Sequence, residues 1–396
     1  MHYLLWILLL LSLSQPSSSK IHHPILPHSK QTTAFTKEQQ QNLTQPNQNP
    51  LNDNDNDLPN TMPASTKDTK EKELPLVSGI PPWHAFAFVT LLIAVSVPNL
   101  PSWEEIDALS TPKLWTTRKF PDLVSLKAMA FARLGIAGVA LGLTLYLMLL
   151  DPGWDVFPNY KPHSKLRRVF IRLEGLGTMA PFTSWCWLIF GLGFLTRGLL
   201  ALAGHTVETN VVAPSWATNL LSNQVLLRAT LILWELTGPF AVLVSSVVKF
   251  VIWPEVVKSG KPHKLSGFRN QLQHNCNSIF ALLEVTFLGG MSVEFSHLSM
   301  AMTVGYLYMG FTWIMANLYF GNAQVGPQYI YWFMDTTLES TTTKALAALA
   351  FALTLFFVVF SLVVGTVLGG SDGEPSKALN ASFLLLVSSF VCRFKD

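Results

Sequence analysis

Charged side chains are scarce in this chain, since Asp, Glu, Lys and Arg make up only 13% of its 396 residues. The formal net charge of +3 gives little of the basic surface that nucleic-acid-binding proteins need, so no nucleic-acid partner is expected. Cysteine is also rare, and three cysteines cannot build a disulfide framework. The sequence contains no HExxH motif, no P-loop and no CxxC pair, so we expect neither a bound metal nor a cofactor.

Apolar residues, in contrast, are abundant and come in long blocks. They make up 49% of the chain, and the mean hydropathy is +0.34. Blocks of about 20 residues suit helices that cross a bilayer, and these blocks lack the alternation of barrel strands. They cover residues 83–99, 134–150, 176–195, 229–253, 278–293, 299–320 and 345–368. The sequence therefore predicts an all-α integral membrane protein, a bundle of six to seven transmembrane helices.

The regions outside these blocks differ in composition. A ten-residue apolar run, Leu4 to Leu13, is too short to span a bilayer and is typical of a signal peptide. A long polar region follows, which cannot bury enough apolar surface to fold. The predicted division is a signal or targeting segment at 1–19, a disordered linker at 20–73, an interfacial or first membrane segment with a basic loop at 74–133, the transmembrane bundle at 134–368, and a tail with a short apolar segment at 369–396.

Membrane orientation does not follow from the distribution of positive charge. Lys and Arg crowd three predicted loops, at 113–133, 161–172 and 258–269. The positive-inside rule would place the second and third loops in the cytoplasm and leave the first on the other side. The orientation stays open.

Ionisable residues in or near apolar blocks are costly within a membrane, so each is a candidate for function or for a buried pair. The candidates are Arg228, Glu235, Lys249, His274, Glu284 and Asp335. His274, Asn277 and Ser278 have i, i+3, i+4 spacing and would share one helix face, either as part of a site or as polar residues that cap a helix start. Two glycine pairs, Gly138 with Gly142 and Gly365 with Gly369, have the spacing that lets membrane helices approach closely.

Five stretches resemble the androgen-induced membrane protein family, whose members include hydrolases of fatty-acid esters of hydroxy fatty acids. The stretches are PFTSWCWLIFGLGFL, PFAVLVSSVVKFVIWPE, LQHNCNSIFALLEV, TVGYLYMGFTW and GPQYIYWFMDTTL. They occur in the same order as in that family and extend over about 230 residues, roughly from Gly135 to Gly365. The resemblance implies a multi-pass membrane hydrolase of lipid esters.

The same resemblance implies a catalytic threonine and histidine, which fall on Thr183 and His274. The histidine is placed by its ten-residue interval to Glu284, which agrees with the family's histidine-to-glutamate interval. The chain departs from the family at Gln271, where a second histidine is usual. A threonine needs a base to take its proton, and neutral imidazole is such a base near physiological pH. Asn277, Ser278 and Glu284 are the supporting candidates, the first two as possible oxyanion donors.

The expected partners are membrane lipids and a fatty-acid ester substrate, and the expected location is the endoplasmic reticulum or the plasma membrane. Two other functions stay open. A regulatory or scaffolding membrane protein would keep the fold without a reactive pair. A transporter would use paired ionisable groups in mid-membrane, for which Glu235 and Glu284 are the candidates.

Overall fold

A computed structural model of the protein describes residues 81–258, 267–321, 325–368 and 376–393. The predicted signal segment at 1–19 and the predicted linker at 20–73 lie outside these residues. The described chain is helical almost throughout, and the only strands in it are two short antiparallel ones. The predicted all-α membrane bundle is confirmed.

Eleven helices and two strands carry the architecture of the described ranges. In chain order they are α1 (Trp83–Ser96), α2 (Trp103–Leu109), α3 (Pro112–Thr116), α4 (Leu126–Leu149), β1 (Trp154–Val156), β2 (Ile171–Leu173), α5 (Phe182–Thr209), α6 (Ser215–Ser222), α7 (Gln224–Val247), α8 (Phe268–Gln271, continued by Leu272–Cys276 and Asn277–Thr286), α9 (Leu298–Leu318), α10 (Ser340–Val358) and α11 (Lys377–Val391). The helix α7 continues through a π-helical turn to Lys258, and α10 continues as a π-helix to Leu368.

Five of these helices are long and apolar enough to cross a membrane, namely α4, α5, the extended α7, α9 and α10. A sixth crossing arises if α1 and α2 form one span, which bends by 65° at the break between them. The predicted block at 278–293 is not among the spans, because α8 is comparatively polar and ends at Thr286. Beyond it the chain turns at Gly290, whose φ of +68° favours glycine.

Successive long helices run in opposite directions. Gly198 approaches Leu134 and Gly191 approaches Leu141, so α5 runs antiparallel to α4. Ser245 contacts Ser278, whereas Trp234 bonds to the carbonyl of Ser292, so α8 descends along α7. The bundle thus has two ends. We call the end that carries β1 and β2, with the starts of α5, α8 and α10, the sheet end, and the other the opposite end.

The C-terminal helix α11 packs lengthwise against the bundle. At its start the Lys377 ammonium pairs with Asp122, near the beginning of α4 at the opposite end. At its finish the Lys249 ammonium donates to the carbonyls of Ser389 and Phe390, at 2.8 and 2.9 Å, near the sheet end. The short apolar segment of the predicted tail is therefore a packed element of the bundle.

Close helix packing occurs at two glycines that were not predicted, and the predicted Gly365 also approaches Ser292, whose Cβ would lie 3.4 Å from an added Cβ. A Cβ at Gly191 would lie within 2.8 Å of Leu141, and one at Gly198 within 2.8 Å of Leu134, so these two positions let α5 approach α4. A Cβ at Gly138 or Gly142 would meet nothing within 4 Å. The prediction for that pair was wrong, because the glycines face away from the α4–α5 contact. Gly369 lies outside the described residues.

Candidate functional site

At the sheet end, hydrogen bonds from polar and aromatic side chains hold two non-helical segments together. The Tyr160 hydroxyl donates to Gln328 at 3.2 Å and accepts from the Tyr329 amide at 2.8 Å. The buried carboxylate of Asp335 accepts from the Ser164 hydroxyl at 2.5 Å and from the Thr337 amide at 2.8 Å. These bonds tie the segment after α9 to the segment between β1 and β2. Asp335, a candidate from the sequence, therefore has a structural role.

A cavity of about 260 Å³ opens between these segments and the helix ends. We call it the polar cavity. Its walls come from β1, β2, the start of α5, the last turns of the extended α7, the start of α8 and the segment 330–333. Both residues of the predicted pair, Thr183 and His274, line it. The sequence separates them by 91 positions, and the fold brings them to one cavity.

Thr183 lies in the first turn of α5, directly after Pro181 and Phe182. Proline is well suited to this position because its fixed φ needs no rearrangement at a helix start. The Thr183 side chain is half-buried, and Tyr331 lines the same cavity. Burial raises the pKa of Tyr331 to about 12, so its phenol stays protonated near neutral pH. Thr183 thus shares the cavity wall with a protonated phenol.

His274 lies in the π-helical turn Leu272–Cys276 of α8, outside the apolar spans. The Ser245 hydroxyl donates to its backbone carbonyl. Burial lowers the pKa of His274 to about 4, and the positive charges of Arg393 and Arg269 act in the same direction. The imidazole is therefore neutral at physiological pH, as a general base must be. Its Nδ1 is shielded from solvent and has no hydrogen-bond partner in the described chain.

Asn277 and Ser278 point to α7 and do not line the polar cavity. The Ser278 hydroxyl donates to the Ala241 carbonyl at 2.7 Å, and the Asn277 side-chain oxygen accepts from Ser245 at 3.1 Å. Both side chains are buried and serve the contact between α7 and α8. Their hydrogen bonding leaves neither in a position to donate to an oxyanion beside Thr183.

The neighbour of His274 anchors the C-terminus to α8. The Asn275 amide nitrogen donates to the Arg393 carbonyl at 2.7 Å, and its oxygen accepts from the Arg393 amide at 3.1 Å. The same nitrogen donates to Gln271 at 2.5 Å. The Arg393 guanidinium lies 3.6 Å from the centre of the Trp253 ring. Gln271, where the family usually has histidine, therefore belongs to this anchor.

A second, smaller cavity of about 70 Å³ adjoins the polar one. We call it the apolar cavity. Its walls come mainly from α7, α9 and α10, and almost all of its lining is hydrocarbon or aromatic. Thr183, Tyr331 and Phe333 line both cavities. Thr183 thus lies at the boundary between a polar and an apolar space.

Glu284 is far from this site and lies in a buried ion cluster near the opposite end. Its carboxylate receives two bonds from the Arg133 guanidinium, at 2.5 and 3.2 Å, and lies 3.5 Å from Arg197. All three side chains are fully buried. Arg197 is also sandwiched between the rings of Phe194 and Trp234, at 4.3 Å from each. Arg133, assigned to a loop by the sequence, lies inside α4.

The other ionisable candidates also have partners. The Glu235 carboxylate lies 3.2 Å from His297 Nδ1 and accepts from the Glu294 amide. Arg228 forms a two-point pair with Asp107, at 2.5 and 2.7 Å. None of these pairs lines either cavity.

Tyr331 is the functional candidate that sequence reasoning missed. It occurs within GPQYIYWFMDTTL, one of the stretches that carry the family resemblance, but nothing in its spacing connects it with Thr183. Across the described ranges, no group of three His, Cys, Asp or Glu residues could hold a metal ion.

Comparison of the chain with protein-family profiles, with curated proteins and with solved structures returns no match. The family resemblance therefore stays a prediction. What the structure contributes is the cavity that Thr183 and His274 share.

Proposed function

We propose that the protein hydrolyses fatty-acid esters within the membrane, with Thr183 as nucleophile and His274 as general base. The observation that carries the proposal is that both side chains line one cavity, at a point where polar and apolar spaces meet. An ester of a fatty acid has a polar reacting centre joined to an apolar chain, and this arrangement suits it. The family resemblance supports the same reaction.

The chemistry would follow the usual course of nucleophilic catalysis. His274 takes the Thr183 proton while the hydroxyl oxygen attacks the ester carbonyl. The tetrahedral intermediate then breaks its bond to the alcohol, which leaves with the proton from His274. Water, deprotonated by His274, attacks the acyl-threonine, and the fatty acid leaves as the Thr183 hydroxyl regains its proton. Tyr331, which lines the cavity together with Thr183, is the candidate donor for the oxyanion.

The test is release of fatty acid from a branched fatty-acid ester by purified protein. We expect Thr183→Ala and His274→Ala each to abolish turnover while the bundle stays folded, because neither change removes core packing. Since the two groups act as a unit, the double variant should be no worse than either single one. Full activity in Thr183→Ala would exclude the mechanism.

Two control variants separate chemistry from general damage. Ser184→Ala removes a hydroxyl that lines the same cavity but donates to the Thr178 carbonyl at 2.7 Å. Thr206→Ala removes a hydroxyl on the same helix that bonds only to the Leu202 carbonyl. Both should retain turnover. Loss of activity in Ser184→Ala with retention in Thr183→Ala would reassign the nucleophile.

A further inference from the structure

The residues that line the apolar cavity lie at different distances from the sheet end. Its wall on α9 includes Gly305 and Met309, and its wall on α10 includes Leu349 and Leu353. The helix α9 runs toward the sheet end and α10 runs away from it, as the paired contacts of Met302 with Thr354 and of Gly305 with Leu353 require. Gly305 and Leu353 are therefore the lining residues of these two helices that lie farthest from the sheet end.

Thr183 lines the same cavity, from the start of α5. Its neighbour Phe182 packs against Tyr308, with ring centres 4.7 Å apart, about one helical turn from Gly305 toward the sheet end. The cavity thus connects Thr183 on α5 with Gly305 on α9 and Leu353 on α10. Its lining is apolar along this path.

Gly305 leaves space at the far end of the cavity. A Cβ built on it would lie 3.4 Å from Leu353 Cδ2, which is an ordinary van der Waals contact, and would meet no other atom within 4 Å. An alanine therefore fits here without strain, whereas a larger side chain would occupy part of the cavity. This glycine has no φ requirement that would explain it, since its backbone is that of a regular helix.

We infer that the apolar cavity holds the acyl chain of the ester, and that Gly305 sets the longest chain it accepts. The inference rests on the proposed function for its substrate and on the shared lining at Thr183, Tyr331 and Phe333 for its occupant. Hydrophobic pockets discriminate by about 10- to 200-fold for a single methylene group. A larger side chain at position 305 should therefore reduce the hydrolysis of long-chain esters and leave that of short-chain esters unchanged.

The experiment is a chain-length profile of hydrolysis for Gly305→Ala, Gly305→Val and Gly305→Leu, using esters of one alcohol with short, medium and long saturated acids. The matched control is Gly310→Leu on the same helix, where a Cβ would meet nothing within 4 Å. We expect the ratio of long- to short-chain kcat/KM to fall progressively from Ala to Leu, by at least about tenfold for Leu. The control should keep the wild-type ratio.

A binding measurement separates this inference from the proposed function. Thermal shifts of Thr183→Ala protein with free fatty acids of the same lengths report on the cavity without any turnover. If no variant hydrolyses ester but binding loses its long-chain preference in the Gly305→Leu background, the cavity assignment stands and the hydrolase proposal fails. If hydrolysis is intact and the length profiles of Gly305→Val and Gly305→Leu match wild type, the inference is overturned.

Discussion

The two ends of helix α8 differ in how they use polar residues. At the sheet end His274 is neutral, lines a cavity and leaves one ring nitrogen without a hydrogen bond in the described chain. Near the opposite end Glu284 is fully buried, is held by two guanidinium groups and lines neither of the two cavities. The two ionisable groups therefore differ in whether neighbouring helices already supply partners for them.

The largest expected effect is a loss of stability when the buried ion cluster around Glu284 is disrupted. Glu284→Ala would leave the charges of Arg133 and Arg197 buried without a counter-ion, which typically costs about 3–5 kcal/mol. We expect a large fall in thermal stability in detergent. The control is Arg172→Ala, which removes exposed pairs with Asp155 and Glu174 and a hydrogen bond to the Pro152 carbonyl, and which should lower stability far less. Equal stability of Glu284→Ala and wild type would contradict the structural role.

Replacing Tyr331 tests the sheet end, where we expect an effect on catalysis instead of stability. Tyr331→Phe removes a phenol that lines both cavities with Thr183 but keeps the ring and its stacking on Phe333, whose centre is 5.0 Å away. We expect kcat for ester hydrolysis to fall by up to about 10²-fold, the usual effect of one lost donor, with KM little changed. Tyr319→Phe, an exposed tyrosine outside both cavities, is the control. A rise in KM alone would instead assign Tyr331 to substrate binding.

The pH dependence of stability should reveal the neutral histidine. Because the folded protein lowers the pKa of His274 from its ordinary 6.5 to about 4, the unfolded chain binds more protons between these values. Stability should therefore be complete above pH 6.5 and decline as the pH falls toward 4. The comparison is with His274→Asn in the same series of thermal unfolding measurements. An equal decline in both proteins would show that His274 does not contribute.

The smallest expected effects concern the anchoring of α11. Asn275→Ala removes the paired backbone bonds to Arg393 and should cost about 1–2 kcal/mol. Lys377→Ala removes an exposed pair with Asp122 at the other end of the same helix and should lower stability less than Asn275→Ala does. Chemical or thermal unfolding of the two variants in parallel measures the difference. A larger loss for Lys377→Ala would contradict this order.

The fold class was predictable because an apolar block can be recognised as a membrane helix without knowing which helices pack against it. The helix limits were not: the block placed at 134–150 is a helix that begins at Leu126, and the one placed at 176–195 extends to Thr209. In both cases hydropathy excluded an arginine, Arg133 or Arg197, that the fold buries against Glu284. In the sequence alone, an arginine that pairs with a glutamate on a distant helix cannot be distinguished from an arginine in a loop.

The site was predictable in part. Thr183 and His274 were placed by the family resemblance, and the structure adds that they line one cavity. The expectation that Asn277 and Ser278 accompany His274 assumed a regular α-helix. In the structure His274 lies in the π-helical turn Leu272–Cys276, and Asn277 and Ser278 face α7. No pattern of residue types in this stretch distinguishes such a turn from an α-helix.

The length of the extended α7 bears on where the site lies relative to the membrane. It spans 35 residues, from Gln224 to Lys258, which is about 52 Å at 1.5 Å per residue. The hydrocarbon layer is about 30 Å thick, so a helix of this length that lies along the membrane normal extends roughly 20 Å beyond it. Its last turns carry Glu255, paired with Lys161 at 2.7 Å on the rim of the polar cavity. A lipid ester bound as proposed would thus keep its head at the membrane surface and its chain inside, the orientation it already has in the leaflet.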